Sequence, residues 1–479
     1  MNRKIVFNIT GKILQALSGI LILPMIVSLI YKENCIFAFF VAAGVAFLSG
    51  TLLRLATRNH KNDIYAREGF LIVSLAWLCA SLIGCLPFII SGEIPNFFDA
   101  FFETVSGFTT TGASVVTNVE ELSHGILFWR SFSHWIGGMG VLVFMLAFIS
   151  NLSDRAIHIM RAEMPGPSVG KIVPRAKDTS KVLYIMYIVL TLVQIILLAF
   201  GDMDLFESTV HSLGTAGTGG FGIKGDSLTK YSAYSQWVIA AFMLIFGVNF
   251  NLYYLMTIRR FKAVFKSDEL WTYFGIVAVA SAVIFVDIVK VMPTIGEALR
   301  HSVFQVSSII TTTGYATADF TEWSGLSKAV IFLLMFIGGC AGSTAGGLKL
   351  SRAIIMFKMM LREIKRLIHP RSVGSVRFEG KDVDDVTKNS ITTYFSVYIM
   401  FIFATFILIS FEPFGFETNF TAAATCFNNV GPGFGKIGPM DGFSGYSDFS
   451  KFILSLSMLF GRLEVFPLLI AIIPSTWKK

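Results

Sequence analysis

Repeated apolar runs of membrane-spanning length constrain this chain more than any other feature. FLIVSLAWLCASLIGCLPFII (70–90) and VLYIMYIVLTLVQIILLAF (182–200) are the clearest, with LSGILILPMIVSLI (17–30) and VLVFMLAFI (141–149) beside them. Helical runs of about 20 residues match the roughly 30 Å hydrocarbon core of a bilayer. Barrel strands alternate over about ten residues, and no such alternation recurs. Of the 479 residues, 54% are hydrophobic and 15% charged, with mean hydropathy +0.68. Soluble chains carry about a quarter charged residues. An all-α polytopic membrane protein follows.

The basic N-terminal stretch MNRKIVFNITGKILQ leads into the first run without a convincing cleavage site. A second apolar segment follows at 36–53, so both read as retained membrane helices. Cys35, Cys79, Cys85, Cys340 and Cys426 lack metal-ligand spacing and read as small packing residues. The net charge of +8 does not point to nucleic acid. Most of the lysines and arginines fall at the termini and in alternate connections, at 54–67, 151–181, 258–267 and 349–388. That is the positive-inside pattern, and it places both termini in the cytoplasm.

Glycine clusters reveal a fourfold repeat. The segments are FDAFFETVSGFTTTGAS (98–114), FESTVHSLGTAGTGGFG (206–222), LRHSVFQVSSIITTTGYA (299–316) and ETNFTAAATCFNNVGPGFG (417–435). Each is an amphipathic stretch too short to span a bilayer, running into a Thr/Asn-x-Gly cluster between two longer apolar segments. Gly112, Gly220, Gly314 and Gly431 recur at near-regular intervals, and repeats of this size complete a site together. The expected organisation is two leading helices (1–60) and four helix–pore-loop–helix repeats, at 61–165, 166–265, 266–380 and 381–479. These would surround one pseudo-fourfold pore.

Irregular backbone at membrane depth survives only where protein buries it or where it lines a wet cavity. Four such loops converging on one axis can offer rings of carbonyl oxygens to a desolvated cation. The C-terminal end of each half-helix dipole favours positive charge there. A single TTTG string is an ordinary helix end or packing spot; four in equivalent places point to a pore. The expected ligands are Thr110, Thr111 and Gly112; Thr218, Gly219 and Gly220; Thr312, Thr313 and Gly314; and Asn429, Val430 and Gly431. Neutral oxygen rings suit K⁺, with Rb⁺ or Na⁺ as possible companions, whereas a Ca²⁺ filter carries a ring of carboxylates.

These motifs, with GGCAGSTAGGLKLSR (338–352) and GRLEVFPLL (461–469), resemble those of the TrkH/TrkG/KtrB superfamily of bacterial potassium-uptake proteins. The likeness spans about 67–475, and the helix pair before it favours the TrkH/TrkG branch. The second loop, TAGTGGFG, lacks the commoner aliphatic residue before Gly-Gly, which leaves Gly219 and Gly220 as alternative registers.

Five glycines crowd into 338–347, and each costs about 1 kcal/mol in a helix relative to alanine. The segment reads either as a close-packing stripe or as a broken helix. The resemblance implies the latter, a loop obstructing the pathway and moving when it opens, formed by Gly338, Gly339, Gly342, Ser343, Thr344, Gly346 and Gly347. It also implies that Arg462 lines the pore beside that loop. Hydrogen bonding to the carbonyls of the broken helix is the alternative role for Arg462. Glu103, Glu207 and Glu417 attract cations or support helix N-termini; His134 and His211 read as satisfied interior residues.

The resemblance further implies K⁺ uptake across the bacterial inner membrane, a homodimer, and a cytoplasmic TrkA-type partner whose nucleotide binding regulates opening. The chain has no Walker A string and no Rossmann motif in a soluble βαβ context. No catalytic constellation and no cofactor are expected, only K⁺ as transported ligand. An alternating-access Na⁺- or H⁺-coupled carrier built on broken helices remains the rival reading.

Overall fold

Serine and acidic residues fix the skeleton of each repeat. The helices that follow the four glycine loops are His124–Gly138, Ala233–Phe246, Gly325–Phe336 and Asp448–Arg462. Their N-caps are all serine: Ser123, Ser232, Ser324 and Ser447. Each serine hydroxyl donates to a carboxylate at the end of the preceding apolar helix. Ser123 reaches Glu93 at 2.6 Å, Ser232 reaches Asp202 at 2.6 Å, Ser447 reaches Glu412 at 2.5 Å, and Ser324 bonds Asp287. The four clasps repeat the architecture in hydrogen bonds. Burial opposes the charge on Asp202, yet bonds from Ser232 and Ser235 hold its carboxyl below the usual carboxylate range.

The computed structural model describes residues 2–59, 65–140, 176–372 and 374–477. The apolar run 141–149, most of the connection 151–181 and the boundary between 61–165 and 166–265 lie outside the described residues. Six helices among the described residues are long and apolar enough to cross a bilayer: Arg3–Ile30, Ile36–Ala56, Ala66–Ser91, Lys181–Ala199, Asp268–Ile288 and Asp385–Ile409. The number rises to eight if each of two sharply bent pairs counts as one span. The only strands described, Arg377–Phe378 and Lys381–Asp382, form a small hairpin in the basic connection 349–388.

Between helices in lipid there is little hydrophobic driving force, so close packing holds the bundle. The leading pair meets at small residues: a Cβ on Gly11 would lie 2.7 Å from the Gly50 carbonyl oxygen. The largest apolar cluster joins Ile9 of the first helix to Trp77, Phe108 and Trp129 of repeat one and to Leu454 and Met458 of repeat four. Repeat three builds much of a second cluster, with Tyr273, Ile284, Ile310 and Met335.

The helix after the loop is broken in repeat three, where Gly325–Phe336 stops and Leu350–Ile368 resumes. Breaks also occur where no glycine cluster announces them. Ala233–Phe246 turns by 89° into Phe250–Thr257, and Asp448–Arg462 turns by 118° into Phe466–Ile472. At the last break Glu464 and Val465 both have positive φ (53° and 66°). The Phe466 amide donates to the Glu464 carbonyl at 2.8 Å, closing a γ-turn that a β-branched residue adopts only under strain.

Candidate ion-conduction site

The four half-helices are Phe97–Phe108, Leu205–Gly217, Ile295–Ile310 and Phe416–Asn428. Each carries an acidic residue in its first turn, Asp99, Glu207, Glu297 or Glu417, where it complements the helix dipole. Glu207 and Glu417 therefore stand at helix N-termini. Glu103 does not: it lies inside its half-helix, buried against Arg130.

All four half-helices end in the same cap. The amide of the first loop residue bonds the carbonyl three positions back, and the next amide bonds the one five back. In repeat one these are Thr110 to Gly107 (3.1 Å) and Thr111 to Ser106 (2.9 Å); in repeat two, Thr218 to Thr215 (3.0 Å) and Gly219 to Gly214 (2.9 Å). Thr312 and Thr313 repeat the pattern, as do Asn429 and Val430. This is a Schellman cap, whose left-handed position glycine usually fills. Here Thr110, Thr218, Thr312 and Asn429 fill it, with φ of 56–57°. Left-handed threonine costs of order 1–3 kcal/mol and persists only where the surroundings impose it. Two residues on, Gly112, Gly220, Gly314 and Gly431 again have positive φ, from 75° to 100°. The second loop therefore aligns on Gly220.

These loops close a ring. A Cβ on Gly112 would lie 2.0 Å from the Gly219 carbonyl oxygen, and one on Gly220 would lie 1.9 Å from that of Thr313. One on Gly314 would lie 2.4 Å from the Val430 oxygen, and one on Gly431 would lie 2.6 Å from the Thr111 oxygen. Each loop thus abuts the next, and the fourth returns to the first. The four glycines open together onto a cavity of about 500 Å³, whose wall includes Lys224 and Asp441.

At the inner level of the ring the polar side chains differ. The Thr218 hydroxyl bonds the Gly217 carbonyl at 2.6 Å, and the Thr312 hydroxyl accepts from the Gly346 amide at 2.6 Å. Asn429 Nδ2 donates to Thr111 Oγ1 and to the Met458 carbonyl, both at 3.0 Å. Thr110 Oγ1 and Asn429 Oδ1 are buried with no hydrogen-bond partner among the described residues. Among the described residues no group of three or more His, Cys, Asp or Glu side chains is placed to hold a metal ion.

The segment 338–349 packs against the ring. Its amides cap the helix that breaks in repeat two: Cys340 bonds the Gly247 carbonyl at 3.0 Å and Thr344 the Phe246 carbonyl at 3.4 Å. The two broken helices thereby satisfy each other's backbone, as apolar surroundings require. Gly338, Gly339, Gly342, Ser343, Thr344, Gly346 and Gly347 all fall in this segment, and Gly346 contacts the ring through Thr312. Arg462 donates to the Thr344 carbonyl at 3.0 Å and to the Gly137 and Gly138 carbonyls at 2.6 and 2.9 Å. It ties the loop to the end of the repeat-one helix.

Several participants carry no local sequence signal. Glu464 pairs with Arg352, 112 positions away, and the Arg352 guanidinium covers the Tyr394 ring at 4.2 Å. Glu269 Oε1 accepts from the Ala341 amide at 2.8 Å and the Ser351 amide at 3.1 Å, clamping both ends of the loop. The Glu269 amide in turn donates to Glu379 of the hairpin at 3.0 Å. Glu103 accepts from Arg130 at 2.8 Å, Ser114 at 3.0 Å and the Val115 amide at 3.0 Å. Aligning the repeats on their serine caps is the one sequence cue that leads to the clasps.

A multi-pass helical protein with four equivalent re-entrant loops closed around one axis is the class that fold and site define. Residues 35–479 match the family model TrkH, described as cation transport protein. The chain belongs to the TrkH family. It is 36% identical to the Trk system potassium uptake protein TrkH of Escherichia coli K12, over all of both chains. It is 34% identical to TrkG of the same strain, over 99% of both. Its structure is similar to the crystal structure of the potassium transporter TrkH from Vibrio parahaemolyticus, with a TM-score of 0.89, 32% identity and full coverage of both chains.

Proposed function

We propose that this chain is a potassium-uptake subunit of the bacterial inner membrane, passing K⁺ inward through the ring formed by its four glycine loops. The observation that carries this reading is the closed circle of carbonyl-to-glycine contacts. Backbone oxygens presented by four loops replace the hydration shell of a large monovalent cation, and four half-helix C-termini favour its charge. Both termini are cytoplasmic. The segment 338–347 is the gate, and Arg462 holds it closed by its bonds to Thr344 and to the repeat-one helix end.

The chain acts as a homodimer with a cytoplasmic TrkA-type regulatory subunit that binds nucleotide. The basic region 362–388 is the docking face. Glu379 there holds the start of Asp268–Ile288, whose Glu269 clamps the loop, so motion of the hairpin has a physical route to the gate.

Rb⁺ uptake into proteoliposomes tests the reading. Uptake is expected to be suppressed by excess K⁺ and little by Na⁺, and to carry single-channel currents. Shortening 338–347 is expected to raise uptake, and Arg462→Met is expected to raise it about tenfold or more, since a lost charge-assisted bond is worth about 1.5–3 kcal/mol. Unchanged or lower uptake by correctly folded variants contradicts the gate. Stoichiometric Na⁺- or H⁺-driven uptake without currents contradicts the channel.

A further inference from the structure

The second loop has glycine at 217 and 219, where the other three loops carry a side chain. Thr111, Thr313 and Val430 precede the glycine of loops one, three and four, and all three are fully buried. Thr111 and Thr313 also bond the hydroxyls of Thr109 and Thr311, each at 2.7 Å. The second loop has Gly219 there, and the missing side chain is replaced from elsewhere. A Cβ on Gly219 would lie 2.2 Å from His134 Cγ, and one on Gly217 would lie 2.3 Å from the His134 carbonyl oxygen.

The fully buried His134 ring fills that space and makes a bond at each nitrogen. Nδ1 donates to the Gly107 carbonyl of the first half-helix at 2.7 Å, and Nε2 accepts from the Phe221 amide of the second loop at 3.3 Å. The two bonds define one neutral tautomer. Phe221 packs on the imidazole at 4.2 Å between centroids, and the Arg130 guanidinium lies over the Phe221 ring at 4.3 Å. A single side chain thus joins two neighbouring quadrants.

We propose that His134 is a positioning residue for cation selectivity, its imidazole serving the second loop as the side chain that Gly219 lacks and fixing that loop against the first quadrant. This rests on the reading of the four loops as the selectivity filter. An imidazole that only filled space would tolerate an apolar replacement of similar size. One that sets loop geometry requires a donor and an acceptor at its two ends.

The test measures K⁺ against Na⁺ competition for Rb⁺ uptake in proteoliposomes of the full chain. His134→Leu is expected to lower the K⁺/Na⁺ preference about tenfold, the equivalent of about 1.4 kcal/mol. His134→Gln, whose amide offers both a donor and an acceptor, is expected to stay within about threefold of wild type. Gly219→Ala alone is expected to abolish selective uptake, and His134→Ala in the same chain is expected to restore part of it, because the new methyl occupies the vacated space. If folded His134→Leu keeps the wild-type preference while Gly314→Ser loses it, the proposal fails and the filter reading stands. If neither substitution changes the preference, the filter reading itself fails. Should His134→Leu not fold, the glycine pair decides: Gly219→Ala with wild-type selectivity overturns the proposal.

Discussion

Gly314→Ser is expected to lower the preference for K⁺ over Na⁺ by about tenfold or more, a loss of about 1.4 kcal/mol or more in discrimination. Two effects act together. Gly314 has φ of +85°, a region that residues with a Cβ adopt at a cost of roughly 1–2 kcal/mol. The new Cβ would also lie 2.4 Å from the Val430 carbonyl oxygen and 2.9 Å from Pro432 Cδ. Neither neighbour is a flexible side-chain tip, so the fourth loop must shift. An oxygen displaced from the ring alters the cavity that discriminates between cations by ligand number and field strength. Competition of K⁺ and Na⁺ for Rb⁺ uptake reads the change. Unaltered selectivity in a folded variant would remove the loops from the pathway.

Glu103→Gln is expected to destabilise the fold by about 3–5 kcal/mol. The Arg130 and Glu103 side chains are 2% and 0% exposed, so the substitution strands a guanidinium in a nearly dry site. Glu103 also accepts from Ser114 and the Val115 amide, while Arg130 reaches the Gly222 carbonyl at 3.3 Å. The pair therefore braces the first loop against the second. Thermal unfolding of detergent-purified protein measures the loss. Glu103→Gln with Arg130→Met is expected to recover part of it, because removing both charges leaves none unpaired. An unchanged transition in the single variant would mean that water or another carboxylate already compensates Arg130.

Much of this architecture is readable in the sequence because apolar length and glycine clusters are local properties. TTTGAS and TTTGYA announce two loops directly, and TGGFG and NVGPG follow once the repeat is recognised. What sequence does not carry is pairing. Arg352 and Glu464 are far apart along the chain, and neither position says that the other shares its buried site. The bend at Glu464–Val465 has no glycine, and a valine at φ 66° runs against its own backbone preference. The strain is tolerated where the Arg352–Glu464 pair holds the turn. The second loop, TAGTGGFG, departs visibly from the commoner run with an aliphatic residue before Gly-Gly, but the histidine packed against its Gly219 lies 85 positions earlier and carries no local signal.

Arg462 admits two sequence readings for the same physical reason. A lone arginine in an apolar run must find polar partners, and chain order does not say which. In the fold its partners include the Thr344 carbonyl of the broken segment and the Gly137 and Gly138 carbonyls at the end of the described helix His124–Gly138. Only the three-dimensional arrangement of repeats brings these acceptors to one guanidinium.

If the four loops hold a desolvated cation on their common axis, crystals grown in Rb⁺ will show it by anomalous diffraction. Rb⁺ density is expected inside the ring bounded by Thr111, Gly219, Thr313 and Val430, lost when K⁺ replaces Rb⁺ and retained when Na⁺ is added. An empty ring, with Rb⁺ bound elsewhere in the membrane region, would contradict it.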